Sequence, residues 1–271
     1  MQATTITLER EGPVAILVLD RPDKANAMEE AMWHELREAM RHADETPEIR
    51  VVVLKGAGRH FTAGIDLAML EGLAARLRDE DGARSREKLR RLILDLQDTL
   101  TAFERCRKPV IAAVHGACYG GGMDLVTACD IRHCSADARF SVKEIDVGMT
   151  ADVGTLQRLP RVIGDGPARE LIYTGRDIDA ARALAIGLVN EVLPDADAVQ
   201  ARAHDVAREI AANSPLAVQG SKQVLSQAVR RDVQAGLDYV ALWNAAFLHS
   251  EDLGEAIAAF AQKRPPVYKG R

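Results

Sequence analysis

The chain has 271 residues, of which 47% are hydrophobic, so it can bury a sizeable core in one large domain or in a core with an appendage. Its 40 acidic and 35 basic side chains give a net charge of −5, so the overall charge does not indicate a nucleic-acid or anionic-membrane partner, and a polyanionic ligand would need a local basic patch. The four cysteines form no CxxC pair, and neither a secretory leader pattern nor a long apolar run is present, so we expect a cytosolic protein.

The chain begins with a strand-rich stretch that leads into one helix. Two short strands are predicted at residues 4–10 and 13–19, and a loop rich in Pro, Asp and Asn follows at 21–28. Apolar residues then recur at every fourth position from Met28 onwards. This spacing predicts an amphipathic helix from Met28 to about Ala43.

The next stretch contains a buried strand and a glycine-rich loop. The apolar run at 51–56 predicts the strand, and the glycines that follow predict a loop at 56–67. Charges of both signs alternate through 75–91, which indicates a mobile solvated segment followed by a surface helix. Apolar residues at helical spacing predict a further helix at 89–103.

A glycine triplet separates an apolar strand at 109–114 from an apolar helical segment that starts at Met123. Residues 120–122 have no Cβ atoms, so a ligand can approach the unpaired N–H groups at the helix N-terminus, where the helix dipole favours an anion. The alternative is that the triplet only permits tight packing of the helix on the strand. Because the phosphate-loop, GxGxxG and GxSxG motifs are all absent, nucleotide binding and a serine-hydrolase site have no motif support.

The rest of the chain is predicted to be mainly helical. The expected elements are a short helix at 153–159, a loop and helix at 159–175, a capped helix and strand at 177–194, and helices at 196–212, 215–230, 232–248 and 251–262. Apolar residues between Leu237 and Leu248 form a broader surface than a peripheral helix needs. This surface predicts docking on the core or on a neighbouring subunit.

Three carboxylates lie near glycines or in otherwise apolar sequence, where acidic residues are uncommon unless they are exposed, paired or functional. Each also has a simpler interpretation. Asp124 lies in a first helical turn, where the dipole favours an acid. Glu144 fits a surface-facing strand residue, and Asp152 fits an N-cap for the helix that follows it.

The cysteines and histidines offer weaker signals. Cys129, His133 and Cys134 have neither the spacing nor the second pair of a zinc site, so we interpret them as core residues of a strand. Cys118 lies close to the predicted anion site, but no arrangement of His with Asp or Asn is evident to activate it as a nucleophile. His115 is interpreted as a packing residue at the end of a strand.

The segments AGIDL at 63–67, KPVIAAVHGACYGGGMDL at 108–125 and DVGMTADVGTLQRLP at 146–160 resemble the crotonase superfamily of acyl-CoA enzymes. The resemblance implies an α/β fold, a crotonase-like spiral of ββα units with a C-terminal α-helical trimerisation region. Residues 1–195 are then the spiral core with the active site, and residues 196–271 are the helical oligomerisation region. We accordingly expect a homo-oligomer, either a trimer or a hexamer, with an acyl-CoA thioester as substrate and no nucleic-acid or membrane partner.

The resemblance also implies an oxyanion hole made by the backbone N–H groups of Ile65 and Gly121. Such donors lower the barrier to removing a weakly acidic proton beside a thioester, because they stabilise the charge that develops on the thioester oxygen. No metal and no cofactor are expected, since coenzyme A is part of the substrate. The substrate-binding residues expected by position are Lys24, Ala63, Gly64, Ile65, Asp66, Leu67, Gly121 and Lys263, with Arg264 as an alternative to Lys263; each basic residue is equally compatible with an ordinary solvated role.

Within the superfamily, residues 140–160 are closely similar to the Δ3,5-Δ2,4-dienoyl-CoA isomerases, which implies that Asp124, Glu144 and Asp152 are catalytic and share one pocket. Hydratases usually have Glu at the position of Asp124 and lack an acid at the position of Asp152. The implied reaction removes a proton from C2 and delivers one to C6 through a dienolate.

The expected roles are Glu144 as the base at C2 and Asp152 as the acid at C6, with the reverse order left open. Asp124 is expected to perturb the pKa values of both neighbours. Two rival functions remain at this point. One is another crotonase activity such as enoyl-CoA hydration, and the other is a noncatalytic member that binds acyl-CoA or RNA.

Overall fold

The computed structural model describes residues 3–76, 82–248 and 250–267, and its architecture is α/β as predicted. The strands are β1 (Ile6–Glu11), β2 (Val14–Leu19), β3 (Val51–Gly56), β4 (Val110–Val114), β5 (Ala117–Tyr119), β6 (Ile131–Ser135), β7 (Arg139–Ser141), β8 (Ile178–Asp179) and β9 (Glu191–Leu193). The helices are α1 (Glu30–Glu45), α2 (Leu67–Arg76), α3 (Gly82–Arg105), α4 (Gly121–Ala128), α5 (Thr155–Ile163), α6 (Asp165–Thr174), α7 (Ala180–Ala185), α8 (Ala196–Ala211), α9 (Pro215–Phe247) and α10 (Glu251–Ala261), with short 3-10 helices at Pro22–Lys24 and Lys143–Val147.

The large sheet has the strand order β1-β2-β3-β4-β6-β9 and is parallel apart from the β1–β2 pair. Successive side chains of a strand point to opposite faces, so the run VAILVL of β2 supplies both sides of the sheet. Ala15, Leu17 and Leu19 join the main core, whereas Val14 packs with the smaller cluster beneath α8. The sheet is therefore buried on both faces, as a largely parallel sheet requires.

A second sheet of order β5-β7-β8 contains the strands that follow β4 and β6 of the large sheet. Strand β4 lies in the large sheet and β5 in the small one, and α4 then returns the chain; β6 and β7 repeat the step. This alternation is the spiral of ββα units that the sequence predicted. It places the start of α4 at the point where the chain leaves the small sheet.

Two predicted helix boundaries in the first half are wrong. Helix α1 begins at Glu30, and Met28 instead forms an isolated bridge with Ile65, which makes it part of the site. Helix α3 is continuous from Gly82 and has no boundary near residue 89. Of the charged segment predicted at 75–91, residues 77–81 lie outside the described residues.

The C-terminal helices differ from prediction at one point. The two helices predicted at 215–230 and 232–248 form the single helix α9, because no Gly or Pro interrupts the chain at residue 231. Helix α9 packs against α3 and α5, and α8 covers the outer face of the large sheet. The division of the chain at residue 195 stays a prediction.

The apolar surface predicted on α9 divides between core and solvent. Leu237, Val240 and Ala241 are buried, whereas Leu242 and Trp243 are exposed. Docking on the core is thus confirmed for the first set, and docking on a subunit stays a prediction for the second. None of the helices within the described ranges is long and apolar enough to cross a membrane.

Candidate active site

The glycine triplet adopts the predicted role of a turn that opens a helix. Gly120 has a φ of 47°, which favours glycine, and it is the N-cap of α4. Gly121 is the first residue of α4, so its N–H has no partner within the helix. All residues of α4 are buried, and the N-terminus of this helix therefore faces the interior of the protein.

The backbone nitrogens of Gly121 and Ile65 lie close together at the same cavity. A Cβ atom built on Gly121 would lie 3.7 Å from the backbone nitrogen of Ile65. Within the described ranges, neither N–H donates a hydrogen bond to another group of the protein. Two unpaired donors converging in a cavity are the geometry that an oxyanion hole requires.

The loop that carries Ile65 is fixed from both sides. The Thr62 hydroxyl donates to the carbonyl of Asn26 at 2.6 Å and accepts from the N–H of Gly64 at 3.1 Å. Gly64 has a φ of 93°, and a Cβ there would lie 2.7 Å from the carbonyl oxygen of Tyr119. Only glycine fits this position without moving Ile65.

Ile65 and Gly121 both line a cavity of about 850 Å³. Its walls include Trp33, Leu89 and Ile93 on the apolar side and Lys24 on the basic side. Asp124, Glu144 and Asp152 all line this cavity. The structure thus brings the three carboxylates and the two N–H groups together, as the resemblance implied.

Asp124 is fully buried, and its two carboxyl oxygens differ in their hydrogen bonding. Its Oδ1 accepts from the N–H of Thr155 at 2.6 Å and from the Thr155 hydroxyl at 2.7 Å, while its Oδ2 is enclosed without a partner among the described residues. Burial raises the pKa of Asp124 to about 6, although the Thr155 hydrogen bonds and the charge of Arg158 oppose this rise. Asp124 therefore anchors the start of α5 from another helix.

Glu144 lies on the short 3-10 helix and faces the glycine turn. Its Oε1 would be 3.4 Å from a Cβ built on Gly120, which places the carboxyl group beside the oxyanion donors. Its Oε2 is enclosed and has no hydrogen-bond partner among the described residues. Burial, followed by the charges of Asp124 and Asp152, raises the pKa of Glu144 well above its ordinary value. The surface-facing alternative for Glu144 is wrong.

Asp152 is 7% exposed and precedes α5 without capping it. The residue at the N-cap of α5 is Gly154, so the interpretation of Asp152 as an N-cap is wrong. Its Oδ2 accepts a hydrogen bond from Nδ2 of Asn244 at 2.7 Å. Burial raises the pKa of Asp152 to about 7, with the Asn244 hydrogen bond opposing the rise and the charge of Asp124 adding to it.

A buried arginine holds the segment that carries Asp152. Arg158 forms an ion pair with Glu104 at 3.0 Å and donates to the carbonyl of Val153 at 3.3 Å. A Cβ on Gly154 would lie only 1.7 Å from Nη1 of Arg158, so this glycine makes room for the guanidinium group. The acid and its neighbours are consequently held by packing rather than left on a free loop.

The other predicted site residues divide into two groups. The cavity lining includes Lys24, Ala63, Ile65, Asp66 and Leu67, and the backbone of Gly64 lies beside it. Lys263 is exposed and does not line the cavity, and Arg264 is paired with Glu255. The roles of these residues toward a substrate stay predictions.

The cysteine and histidine interpretations are confirmed in most respects. His133 and Cys134 are buried in β6, while Cys129 is buried at the end of α4 rather than in a strand. Burial raises the pKa of the Cys118 thiol well above its ordinary value, which opposes a role as nucleophile. His115 is buried beyond the end of β4, where Nε2 contacts the carbonyl of Gly58 at 3.0 Å. In the described ranges, no group of three or more His, Cys, Asp or Glu is arranged to hold a metal ion.

Sequence reasoning missed the residues that hold the acids. Thr155, Arg158 and Asn244 contact the acids or their segment, and none of them stands out by motif. The only available signal was a single Asn within the apolar surface of α9. Lys143, which lines the cavity beside Glu144, was also missed; it pairs with Asp177 at 2.8 Å.

The chain is similar to known proteins over nearly its whole length. The family model described as enoyl-CoA hydratase/isomerase matches residues 9–271. The chain is 46% identical to the peroxisomal Δ3,5-Δ2,4-dienoyl-CoA isomerase of Arabidopsis thaliana over 253 residues, which cover 93% of this chain and 91% of that protein. It is 47% identical to the mitochondrial Δ3,5-Δ2,4-dienoyl-CoA isomerase of Rattus norvegicus over 247 residues, which cover 91% of this chain and 76% of that protein.

A solved structure shares the same fold. It is an enoyl-CoA hydratase/isomerase from Pseudoalteromonas atlantica T6c, with a TM-score of 0.85 and 28% sequence identity. The match covers 98% of this chain and 100% of that one.

Proposed function

The chain belongs to the enoyl-CoA hydratase/isomerase family, and we propose that it is a Δ3,5-Δ2,4-dienoyl-CoA isomerase of unsaturated fatty-acid oxidation. The observation that carries this proposal is the set of three buried carboxylates facing one cavity with two unpaired backbone N–H groups. An isomerase that moves a proton over several carbon atoms needs an acid–base group at each end of the path. A cavity with a single acid would not supply both.

The thioester carbonyl binds between the N–H groups of Ile65 and Gly121. Loss of the C2 proton then gives a dienolate whose oxygen carries negative charge, and the two fixed donors stabilise that charge. The Oε1 atom of Glu144 would lie 3.4 Å from a Cβ built on Gly120, the residue before the Gly121 donor. This placement supports Glu144 as the base at C2.

Asp152 supplies the proton to C6 at the far end of the diene. Its pKa of about 7 leaves part of Asp152 protonated near neutral pH, so that it has a proton to donate. The reverse order of roles is the alternative that isotope labelling tests.

Asp124 keeps the cluster from losing all its protons near neutral pH. Its charge raises the pKa of Glu144 and that of Asp152. The reaction consumes no net proton, because Glu144 gains one proton and Asp152 gives one, and exchange with solvent restores both groups before the next turnover. Asp124 thus favours the state in which one of these two groups is protonated and the other ionised.

Lys24 lines the cavity, as Lys143 does, and Lys24 is proposed to contact the phosphates of coenzyme A. We include no metal or further cofactor in the mechanism. A cytosolic location is still only a prediction, and the two relatives described above are named as peroxisomal and mitochondrial.

The function is tested by comparing two substrates with the purified protein. A 3,5-dienoyl-CoA should be converted to a product with the ultraviolet absorbance of a diene conjugated to the thioester, at a rate well above hydration of a 2-enoyl-CoA. Faster hydration would identify a hydratase instead. Binding of acyl-CoA or of RNA without either reaction would identify a noncatalytic member, and only RNA binding would weaken steeply with salt.

A further inference from the structure

Asn244 contacts both the carboxyl group of Asp152 and the backbone before it. Its Nδ2 donates to Oδ2 of Asp152 at 2.7 Å and to the carbonyl oxygen of Thr150 at 2.8 Å. The side chain is 2% exposed and lies on α9, far along the chain from the other residues of the site. Asn244 does not line the cavity, so it reaches the reaction only through Asp152.

The carbonyl of Thr150 determines which way the Asn244 amide faces. A carbonyl oxygen accepts hydrogen bonds and cannot donate them, so the atom of Asn244 that faces it must be the NH2 group. One N–H is used by Thr150, and the other is directed at Asp152. The amide therefore presents a donor to Oδ2 of Asp152, whether or not that carboxyl group is protonated.

A proton on Oδ2 would face this donor and lose the hydrogen bond, which is costly in a buried site. The protonated form of Asp152 consequently carries its proton on Oδ1. Asp152 lines the cavity and Asn244 lies behind it, so Oδ2 is the rear oxygen and Oδ1 is the one presented to a substrate.

We propose that Asn244 is a positioning residue that keeps Oδ2 of Asp152 as a permanent hydrogen-bond acceptor, so that Asp152 exchanges its proton with the substrate through Oδ1. This inference rests on the proposed isomerase function for the identity of the substrate. The position of the proton is a property of the free protein and can be tested separately.

The charged groups that face Asp152 lie on three other elements. Asp124 on α4 and Glu144 on the 3-10 helix each interact electrostatically with its carboxylate, and Arg158 on α5 binds the carbonyl of Val153 next to it. Gln97 on α3 donates to the backbone carbonyl of Asp152 at 2.7 Å and not to its carboxylate. Gln97 is thus a matched control, because it holds the same residue by a different atom.

The experiment compares Asn244→Leu, Asn244→Ala and Gln97→Met with the wild-type protein. In each, the carboxyl group of Asp152 is titrated by ¹³C NMR with labelled aspartate, assigned through Asp152→Asn. Because a hydrogen bond to a charged group favours the ionised form, losing the Asn244 donor should raise the pKa of Asp152 by about one unit or more. Gln97→Met should leave this pKa nearly unchanged.

Activity gives a second reading. With a 3,5-dienoyl-CoA, both Asn244 variants should lower kcat by about 10- to 100-fold with little change in KM, since proton transfer by a misplaced acid is less efficient. Exchange of the C2 proton with solvent should persist, because Glu144 is untouched. The proposal is overturned if the pKa of Asp152 is the same in wild type and Asn244→Leu, or if Gln97→Met raises it equally.

Variants that fail to fold cannot be titrated, and Asn244→Ala, which removes the same donor without adding a branched apolar side chain, covers that case. The NMR result does not depend on turnover. If the wild-type protein fails to isomerise dienoyl-CoA but the pKa shifts as expected, the proposed function is wrong and the role of Asn244 stands.

Discussion

Replacing Asp152 by Asn should make the protein more stable at alkaline pH while removing activity. Burial raises the pKa of Asp152 from 3.8 to about 7, so the folded protein favours the protonated carboxyl group. Stability is therefore lost as the pH rises from about 4 through about 7, because the unfolded chain releases this proton more easily. Asn resembles the protonated carboxyl group, and its side-chain oxygen can still accept the hydrogen bond from Asn244.

The size of the stability change follows from the pKa shift of Asp152. Since one pKa unit corresponds to about 1.4 kcal/mol, the ionisation of Asp152 costs on the order of 4 kcal/mol of folding free energy at pH well above 7. At pH 5 most of this cost is absent, so the advantage of Asp152→Asn over wild type should grow by about 2 to 3 kcal/mol between pH 5 and pH 8.

Urea denaturation of the two proteins at pH 5, 6, 7 and 8 measures this difference as a change in midpoint at constant slope. Isomerase activity should fall by about 10²-fold or more in the same variant, because one acid–base group is gone. An advantage that is the same at pH 5 and pH 8 would show that Asp152 ionises normally, and the argument from burial would then be wrong.

Three further predictions concern other parts of the chain. Asp124→Asn should keep the hydrogen bonds to Thr155 and move the pH–rate profile to lower pH. Asp124→Ala should move the profile in the same way and also lower the free energy of unfolding by about 1 to 2 kcal/mol in urea denaturation. Equal stability of the two variants would contradict the role of Asp124 in anchoring the start of α5. Gly64→Ala should displace the backbone N–H of Ile65 and lower kcat by about 10²- to 10³-fold, while a crystal structure of the variant shows little change in the overall fold. Turnover at the wild-type rate would exclude Ile65 as a donor. Val224 and Leu225 are each 74% exposed on α9, and we expect a neighbouring subunit to cover them. Light scattering should therefore give the mass of a trimer or a hexamer, and the mass of a monomer at micromolar concentration would contradict the predicted oligomer.

The fold was predictable wherever local signals agreed with packing. Gly121 begins a helix because the triplet before it is a turn, and the apolar run of β4 is buried on both faces as its composition predicts. The prediction failed where two patterns looked alike. Met28 continues the apolar spacing of α1, but its backbone forms a bridge with Ile65. Its N–H and carbonyl groups are therefore used by the distant loop and not by a further turn of helix.

The acids of the site could be identified from sequence, but their surroundings could not. Asp152 stands directly before a helix, and a local pattern cannot distinguish an N-cap from an acid that faces a cavity. The helix is held instead by Asp124, which is 31 residues away in sequence from Thr155. Asn244 is farther still, and only the packing of α9 against the core brings it to Asp152.

The most direct test of the account is the reaction of a 3,5-dienoyl-CoA in deuterium oxide with wild-type protein and with Asp152→Asn. The wild-type protein should form the conjugated 2,4-dienoyl-CoA with deuterium at C6, seen by ultraviolet absorbance and NMR. Asp152→Asn should exchange the C2 proton while forming almost no conjugated product. Conjugated product from the variant at the wild-type rate, or none from the wild-type protein, would contradict the assignment of two carboxylates to the two ends of one proton transfer.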